Sequence, residues 1–110
     1  MNLPLTLKAK WFEMIESGVK TEEYREIKSY WYDRLILRFD DARGCVFKPF
    51  ATITFRNGYQ RDAPSMKVEV LDIAINQGNQ SWGAVEGTDY FVFKLGKIIE
   101  RSGKQLKTHK

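Results

Sequence analysis

Alternating apolar and polar residues mark several stretches of the chain as strands with one buried face. Leu3, Leu5 and Leu7 alternate with less apolar neighbours, and Pro4 restricts this first strand to a sheet edge or a strand start. Further strands are predicted at residues 21–25, 35–39, 51–56, 66–75 and 90–95. The chain is therefore expected to be rich in short strands.

The strand at 66–75 changes its buried face halfway along. Met66 and Val68 lie on one face, whereas Leu71 and Ile73 lie on the other. A one-residue change of face indicates a β-bulge or a sharp bend. Small barrels need such bends to close, so this pattern favours a barrel-like sheet.

Two short helices are predicted between the strands. The first, over 10–17, has an apolar face and is followed by Gly18, where a helix of this length needs a left-handed cap. The second, over 29–35, is expected to have Ser29 as its N-cap and Trp31 on its core-facing side.

Two polar segments separate the later strands. Asn57-Gly58 is typical of a tight hairpin, but the polar residues up to Ser65 favour a longer loop at the mouth of the sheet. The segment 76–88 is also too long for a plain hairpin, which favours a functional loop. Its Trp82 either stacks on a base or sugar, or closes one end of the barrel.

Length and composition indicate one domain over residues 1–100, followed by a basic and flexible tail over 101–110. The chain lacks both a long apolar run and a secretory signal, so we expect a cytoplasmic protein with no membrane partner. Cys45 has no second cysteine to pair with, and the only histidine, His109, lies in the tail. We therefore expect no disulfide, no catalytic triad, no metal and no cofactor.

The net charge of +4 comes from the tail, because residues 1–100 hold equal numbers of basic and acidic groups. The tail contains four basic residues and no acidic one. Such a tail either adds salt-sensitive attraction to phosphates or only helps solubility. Net charge alone does not establish that the protein binds nucleic acid.

The richest candidate chemistry lies in the stretch Gly18-x-Lys20-x-x-Glu23-x-Arg25. On a strand, Glu23 and Arg25 point to the same face about 7 Å apart at the backbone, and Lys20 stands at the hinge before it. One interpretation is a solvated surface ion pair worth about 0–1 kcal/mol. The other is a cleft in which a carboxylate, a guanidinium and an ammonium meet one ligand.

This motif resembles the ASCH domains, a branch of the PUA-like superfamily. Other segments resemble short bacterial and phage ASCH proteins in the same order: Leu5-Thr6-Leu7-Lys8, Tyr30-Trp31, Phe55-Arg56-Asn57-Gly58-Tyr59, Trp82-Gly83-Ala84 and Tyr90-Phe91-Val92-Phe93-Lys94-Leu95-Gly96. The resemblance implies an α+β fold, in which a small PUA-like β-barrel of about five to six mostly antiparallel strands is flanked by two short helices. It also implies a cleft suited to RNA or to a modified nucleoside.

As a binding module, the protein would recognise RNA or a nucleoside-like small molecule. Arg25 would hold a carbonyl or phosphate oxygen and Glu23 would accept from an exocyclic amine. Lys8 and Lys20 would donate to further oxygens, and Asn57 suits a base edge because it both donates and accepts. The aromatic candidates beside this site are Tyr30, Tyr59 and Trp82.

As an enzyme, the same cleft would hold a metal-independent hydrolase. Some ASCH relatives look like amidohydrolases of N4-acylated cytidine, and their catalytic lysine corresponds to Lys20. Glu23 stands where those relatives have a threonine, and Glu86 is a second candidate acid. A ribonuclease is also possible, with Lys20 and Arg25 stabilising a pentavalent phosphate. A third interpretation is an interaction domain in which Trp82 and Tyr59 only pack.

Overall fold

The computed structural model describes residues 1–103, so most of the expected tail, from residue 104 on, lies outside the described residues. It contains two helices, seven strands and a 3-10 turn at Gln80–Trp82. In chain order the helices and strands are β1 (Asn2–Leu7), α1 (Ala9–Glu16), β2 (Glu22–Glu26), α2 (Ser29–Leu35), β3 (Ile36–Asp40), β4 (Gly44–Phe47), β5 (Thr52–Asn57), β6 (Ser65–Gln77) and β7 (Asp89–Ser102).

Five strands form the main sheet in the order β1-β5-β6-β7-β2, and β3 pairs with β4 in a separate hairpin. All neighbours are antiparallel except β1 and β5, which run parallel with Leu3 opposite Ile53 and Leu5 opposite Phe55. The α+β class and the mostly antiparallel sheet are confirmed. The strand order starts at β1 and ends at β2, and within residues 1–103 no ladder joins these two edges.

The core lies between one face of the main sheet and α1, where the alternation along the strands directs apolar side chains inward. Each fully buried side chain of this size contributes roughly 1.5–3 kcal/mol relative to exposure. The main contributors are Leu3, Leu5, Leu7, Phe12, Ile15, Ile53, Phe55, Met66, Val68, Phe91 and Phe93. The inward face that the sequence predicts for the first strand, Leu3, Leu5 and Leu7, is confirmed.

The register between β6 and β7 shifts at three places between Lys67 and Asp72. The β-bulge that the sequence predicts here is therefore present, although Leu71 of the expected second apolar face is exposed rather than buried. Bulges increase local twist and bend a strand. They allow two strands of 13 and 14 residues to bend while remaining paired.

One local prediction is wrong, and one strand was not predicted. Ser29 is the first residue of α2 rather than its N-cap; Lys28 is the N-cap, with extended backbone and no side-chain capping bond. The sequence also did not predict β4, which follows β3 after a turn at residues 41–43. Two Asp40 hydrogen bonds, from the backbone N–H groups of Ala42 and Arg43, hold this turn.

The last strand is longer than expected, since β7 continues to Ser102. Arg101 belongs to the sheet, and its Nε lies 3.2 Å from a carboxylate oxygen of Glu16 in α1. The basic tail therefore starts later than residue 101. Neither helix in the described part of the chain has the length and apolar content needed to cross a membrane.

Candidate functional site

The turn between α1 and β2 directs Lys20 into the interior. Gly18 has a φ of 86°, the left-handed conformation that the sequence predicts for it. The backbone N–H of Lys20 then donates to the carbonyl of Met14, 2.9 Å away, which ties the turn to the end of the helix. As a result the Lys20 side chain lies beneath the first residues of β2, and the residue is only 2% exposed.

Lys20, Glu23 and Arg25 form one buried network. Lys20 Nζ lies 2.7 Å from Glu23 Oε1, and Arg25 Nη2 lies 2.8 Å from Glu23 Oε2. Lys20 Nζ also donates to the backbone carbonyl of Glu22. Glu23 is 6% exposed, so this is not a solvated surface pair. With two cations and one carboxylate, the network carries one excess positive charge.

Aromatic rings surround the two cations of this network. The Arg25 guanidinium lies 5.1 Å from the centre of the Trp31 ring, and Lys20 Nζ lies 5.3 Å from that of Tyr24 and 5.8 Å from that of Trp11. Cations near aromatic faces are stabilised by the ring quadrupole. In the described part of the chain, Arg25 Nε is also a buried donor with no hydrogen-bond partner.

Two adjoining clefts open above the network and share Trp11, Glu23, Tyr24 and Arg25. We name the first, of about 510 Å³, the lysine cleft; its other lining residues are Thr6, Leu7, Lys8, Gly58 and Tyr59. We name the second, of about 430 Å³, the tryptophan cleft, because all three tryptophans of the chain line it. Its other lining residues are Glu26, Trp31, Trp82, Gly83, Val85 and Tyr90.

Two tyrosine hydroxyls fasten the loop that carries Trp82. Tyr24 accepts from the backbone N–H of Asn79 at 2.8 Å and donates to Glu22 Oε1 at 2.7 Å. Tyr90 accepts from the backbone N–H of Val85 at 2.9 Å. The pKa of the Tyr24 hydroxyl is raised to about 12, chiefly by burial; the hydrogen bond from Asn79 lowers it and the bond to Glu22 raises it. This hydroxyl therefore keeps its proton across the physiological range.

Close packing holds the same loop against β2 and α1. A Cβ on Gly78 would lie 2.7 Å from Cζ of Tyr24, so only glycine fits there without movement. Gly83 has a φ of 101°, and a Cβ there would lie 3.1 Å from the Trp11 ring. The loop therefore forms a fixed wall of the tryptophan cleft.

Five of the predicted site residues meet in these clefts. Lys8 and Tyr59 line the lysine cleft, Trp82 lines the tryptophan cleft, and Glu23 and Arg25 line both. Tyr59 is 85% exposed, which leaves its ring free to move onto a ligand.

The predicted lysine lies apart from this group. Lys20 lines neither cleft; it is buried beneath them, and its ammonium bonds to Glu23 and to the backbone carbonyl of Glu22.

Three other predicted residues lie outside the two clefts. Asn57 lines a separate hollow of about 290 Å³ beside Ala9. The exposed Tyr30 packs on the edge of Trp31 with ring centres 4.9 Å apart. Glu86 is exposed in the loop and lines neither cleft.

Sequence reasoning missed several aromatic residues of the site. Trp11 had no assigned role, and Trp31 was predicted to face the core; both pack against the core and also line the tryptophan cleft. Tyr24 and Tyr90 had no assigned role, although they lie on neighbouring strands with ring centres 5.7 Å apart. A usable signal for Tyr24 is its position inside the Lys20 to Arg25 motif.

Within residues 1–103, no group of three or more His, Cys, Asp or Glu side chains is arranged to hold a metal ion.

Comparison of the chain with protein-family models, with curated proteins and with solved structures gives no match. The ASCH assignment therefore remains a prediction that rests on the motifs themselves.

Proposed function

We propose that the protein is an ASCH-type module that recognises a nucleoside or single-stranded RNA where its two clefts meet. The observation that carries this proposal is the buried network of Lys20, Glu23 and Arg25 at their shared floor. Glu23 offers a fixed acceptor for an exocyclic amine, while Arg25 offers donors to a carbonyl or phosphate oxygen. Both side chains are held in place before a ligand arrives, which lowers the entropy cost of binding.

The aromatic walls support a ring-shaped ligand. Trp11, Trp31 and Trp82 all reach the tryptophan cleft, beside the acceptor and donors of the network. Proteins that bind single-stranded nucleic acid stack bases on such side chains, at about 1–3 kcal/mol per base. The volume of each cleft also falls within the roughly 300–1,000 Å³ that small-molecule sites occupy.

The proposal includes a sheet that curls toward a PUA-like barrel. β1 and β2 stand at opposite ends of the strand order, yet residues of both line the lysine cleft. Thr6 belongs to β1 and Glu23 to β2, with Trp11 of α1 between them. In this arrangement α1 would close the gap between the edge strands β1 and β2, which no hydrogen-bonded ladder joins.

Hydrolysis of an N4-acylated cytidine is the second candidate function. The close contact between Lys20 Nζ and Glu23 Oε1 favours it, since a carboxylate paired with a lysine could activate water. In this version Glu23 is the catalytic base, and Lys20 positions it. Glu86 has no part in this version, because it lines neither cleft.

Tryptophan fluorescence tests the proposal, since every tryptophan lies at the tryptophan cleft. The protein is titrated with N4-acetylcytidine and with a short single-stranded RNA, and products are followed by chromatography. Arg25→Gln should weaken binding about tenfold or more, because a charge-assisted hydrogen bond is lost. Arg43→Gln is the matched control, since Arg43 is exposed and lies 3.9 Å from Asp40, far along the chain from the motif.

The outcomes separate the two functions. Binding that depends on Arg25 without product supports the recognition module, whereas product that disappears in Glu23→Gln supports the hydrolase. If both ligands leave the fluorescence unchanged, or if Arg43→Gln weakens binding as much as Arg25→Gln, nucleoside recognition in these clefts is wrong.

A further inference from the structure

The two clefts differ in charge as well as in shape. The charged side chains that line the lysine cleft are Lys8, Glu23 and Arg25, which sum to one positive charge. Those that line the tryptophan cleft are Glu23, Arg25 and Glu26, which sum to one negative charge, and Lys28, 2.9 Å from Glu26, offsets that charge. Lys20 lines neither cleft and is left out of both sums. The lysine cleft is therefore the more electropositive compartment.

Aromatic rings are more numerous in the tryptophan cleft than in the lysine cleft. The tryptophan cleft has three indole rings and two tyrosine rings in its lining, whereas the lysine cleft has one indole ring and two tyrosine rings. An uncharged planar group gains the most binding free energy where aromatic faces surround it. An anionic group gains most where unpaired cations face it, and Lys8 is not paired with any carboxylate in the described part of the chain.

From this asymmetry, and resting on the proposed function, we infer that the ligand is a nucleotide rather than a free nucleoside. Its base occupies the tryptophan cleft and its phosphate occupies the lysine cleft. Arg25 lines both compartments, so one ligand can span them with the guanidinium beside the bond between sugar and phosphate. Lys8 is then a specificity residue that recognises the phosphate.

The geometry of Arg25 supports this placement. One hydrogen bond occupies its guanidinium, from Nη2 to Glu23 Oε2, and Trp31 covers one face of the plane. The guanidinium N–H groups other than the buried Nε suit the oxygens of a phosphate, which arginine binds through its planar fork. The excess positive charge of the buried network favours the same anion.

The test compares cytidine with cytidine 5′-monophosphate, cytidine 3′-monophosphate and a short oligocytidine by fluorescence titration at low and high salt. We expect the better monophosphate to bind roughly tenfold more tightly than cytidine at low salt, with the gain shrinking as salt screens the phosphate. Lys8→Gln should remove most of that gain and weaken cytidine far less. Lys67→Gln, at an exposed lysine paired with Glu100, should leave the gain unchanged.

The results distinguish this inference from the proposed function. If cytidine binds but no phosphate-bearing ligand binds more tightly, or if the gain survives in Lys8→Gln, the phosphate compartment is wrong and nucleoside recognition stands. If no ligand binds, both are wrong. If the oligocytidine binds more tightly than cytidine but neither monophosphate does, the lysine cleft binds a phosphate within an RNA strand.

Discussion

Replacing Lys20 with methionine removes one charge from the buried network while keeping most of the apolar stem. Glu23 Oε1 then loses the ammonium that lies 2.7 Å away, but Oε2 keeps Arg25 at 2.8 Å. Removing one partner of a buried ion pair costs about 3–5 kcal/mol. Because Arg25 remains, we expect a loss near the lower limit, about 3 kcal/mol of the free energy of unfolding.

Urea unfolding measures this loss. With a slope near 2 kcal/mol per molar, typical of small proteins, the midpoint should fall by roughly 1.5 M. A small domain has about 5–15 kcal/mol of stability, so the variant should still fold. Lys67→Met is the control: its ammonium lies 3.4 Å from Glu100 on the surface, where such a pair is worth about 0–1 kcal/mol.

A double-mutant cycle with Glu23→Gln tests whether the loss belongs to the pair. Each single change leaves a buried charge with fewer partners, whereas Lys20→Met combined with Glu23→Gln removes both charges of the contact. The double variant should therefore be less destabilised than the sum of the two single variants. An unchanged midpoint in Lys20→Met, or additive effects in the cycle, would refute the buried network.

Three further predictions concern the surroundings of the network. The Tyr24 pKa of about 12 lies above the value of about 10 in an unfolded chain, so the folded state holds the phenolic proton more tightly. This pKa difference stabilises the folded state fully below about pH 10, and the stabilisation is lost as the pH rises toward 12. The unfolding midpoint of the wild type should therefore fall over this alkaline range, whereas that of Tyr24→Phe should lack this fall. Gly78→Ala should lower stability by roughly 1–3 kcal/mol in thermal unfolding, because its Cβ would lie 2.7 Å from Tyr24 Cζ, and an unchanged midpoint would contradict this packing. Asn57→Ala should leave ligand affinity unchanged in the fluorescence titration, since Asn57 lines a separate hollow, and a marked loss would extend the site to that hollow.

Local patterns in the sequence predicted the features that depend on neighbouring residues. Alternation placed the apolar faces of the strands, and the change of face after Val70 marked the bulged part of β6. Gly18 predicted the left-handed turn, and the motif predicted that Glu23 and Arg25 share one face of β2. Each of these depends on residues only a few positions apart.

Features that depend on distant residues were not predictable in this way. The parallel pairing of β1 with β5 joins residues about 50 positions apart, such as Leu3 and Ile53, and no local pattern encodes it. β4 is short and half-buried throughout, so it shows no alternation. The burial of Lys20 was also missed, because the covering by Trp11 and Tyr24 comes from two different elements.

The buried network would link stability with the proposed recognition. Replacing buried ions by apolar groups is often neutral or even stabilising, so folding alone does not require these three charges. What the network does achieve is a fixed position for Glu23 and Arg25 at the floor shared by both clefts. Its one carboxylate neutralises only one of its two cations, so an anionic ligand oxygen would find a net attraction there. Such a ligand should raise the unfolding midpoint as its concentration exceeds the dissociation constant, and Lys20→Met should reduce both the midpoint and this increase, because the same ammonium fixes Glu23 in place.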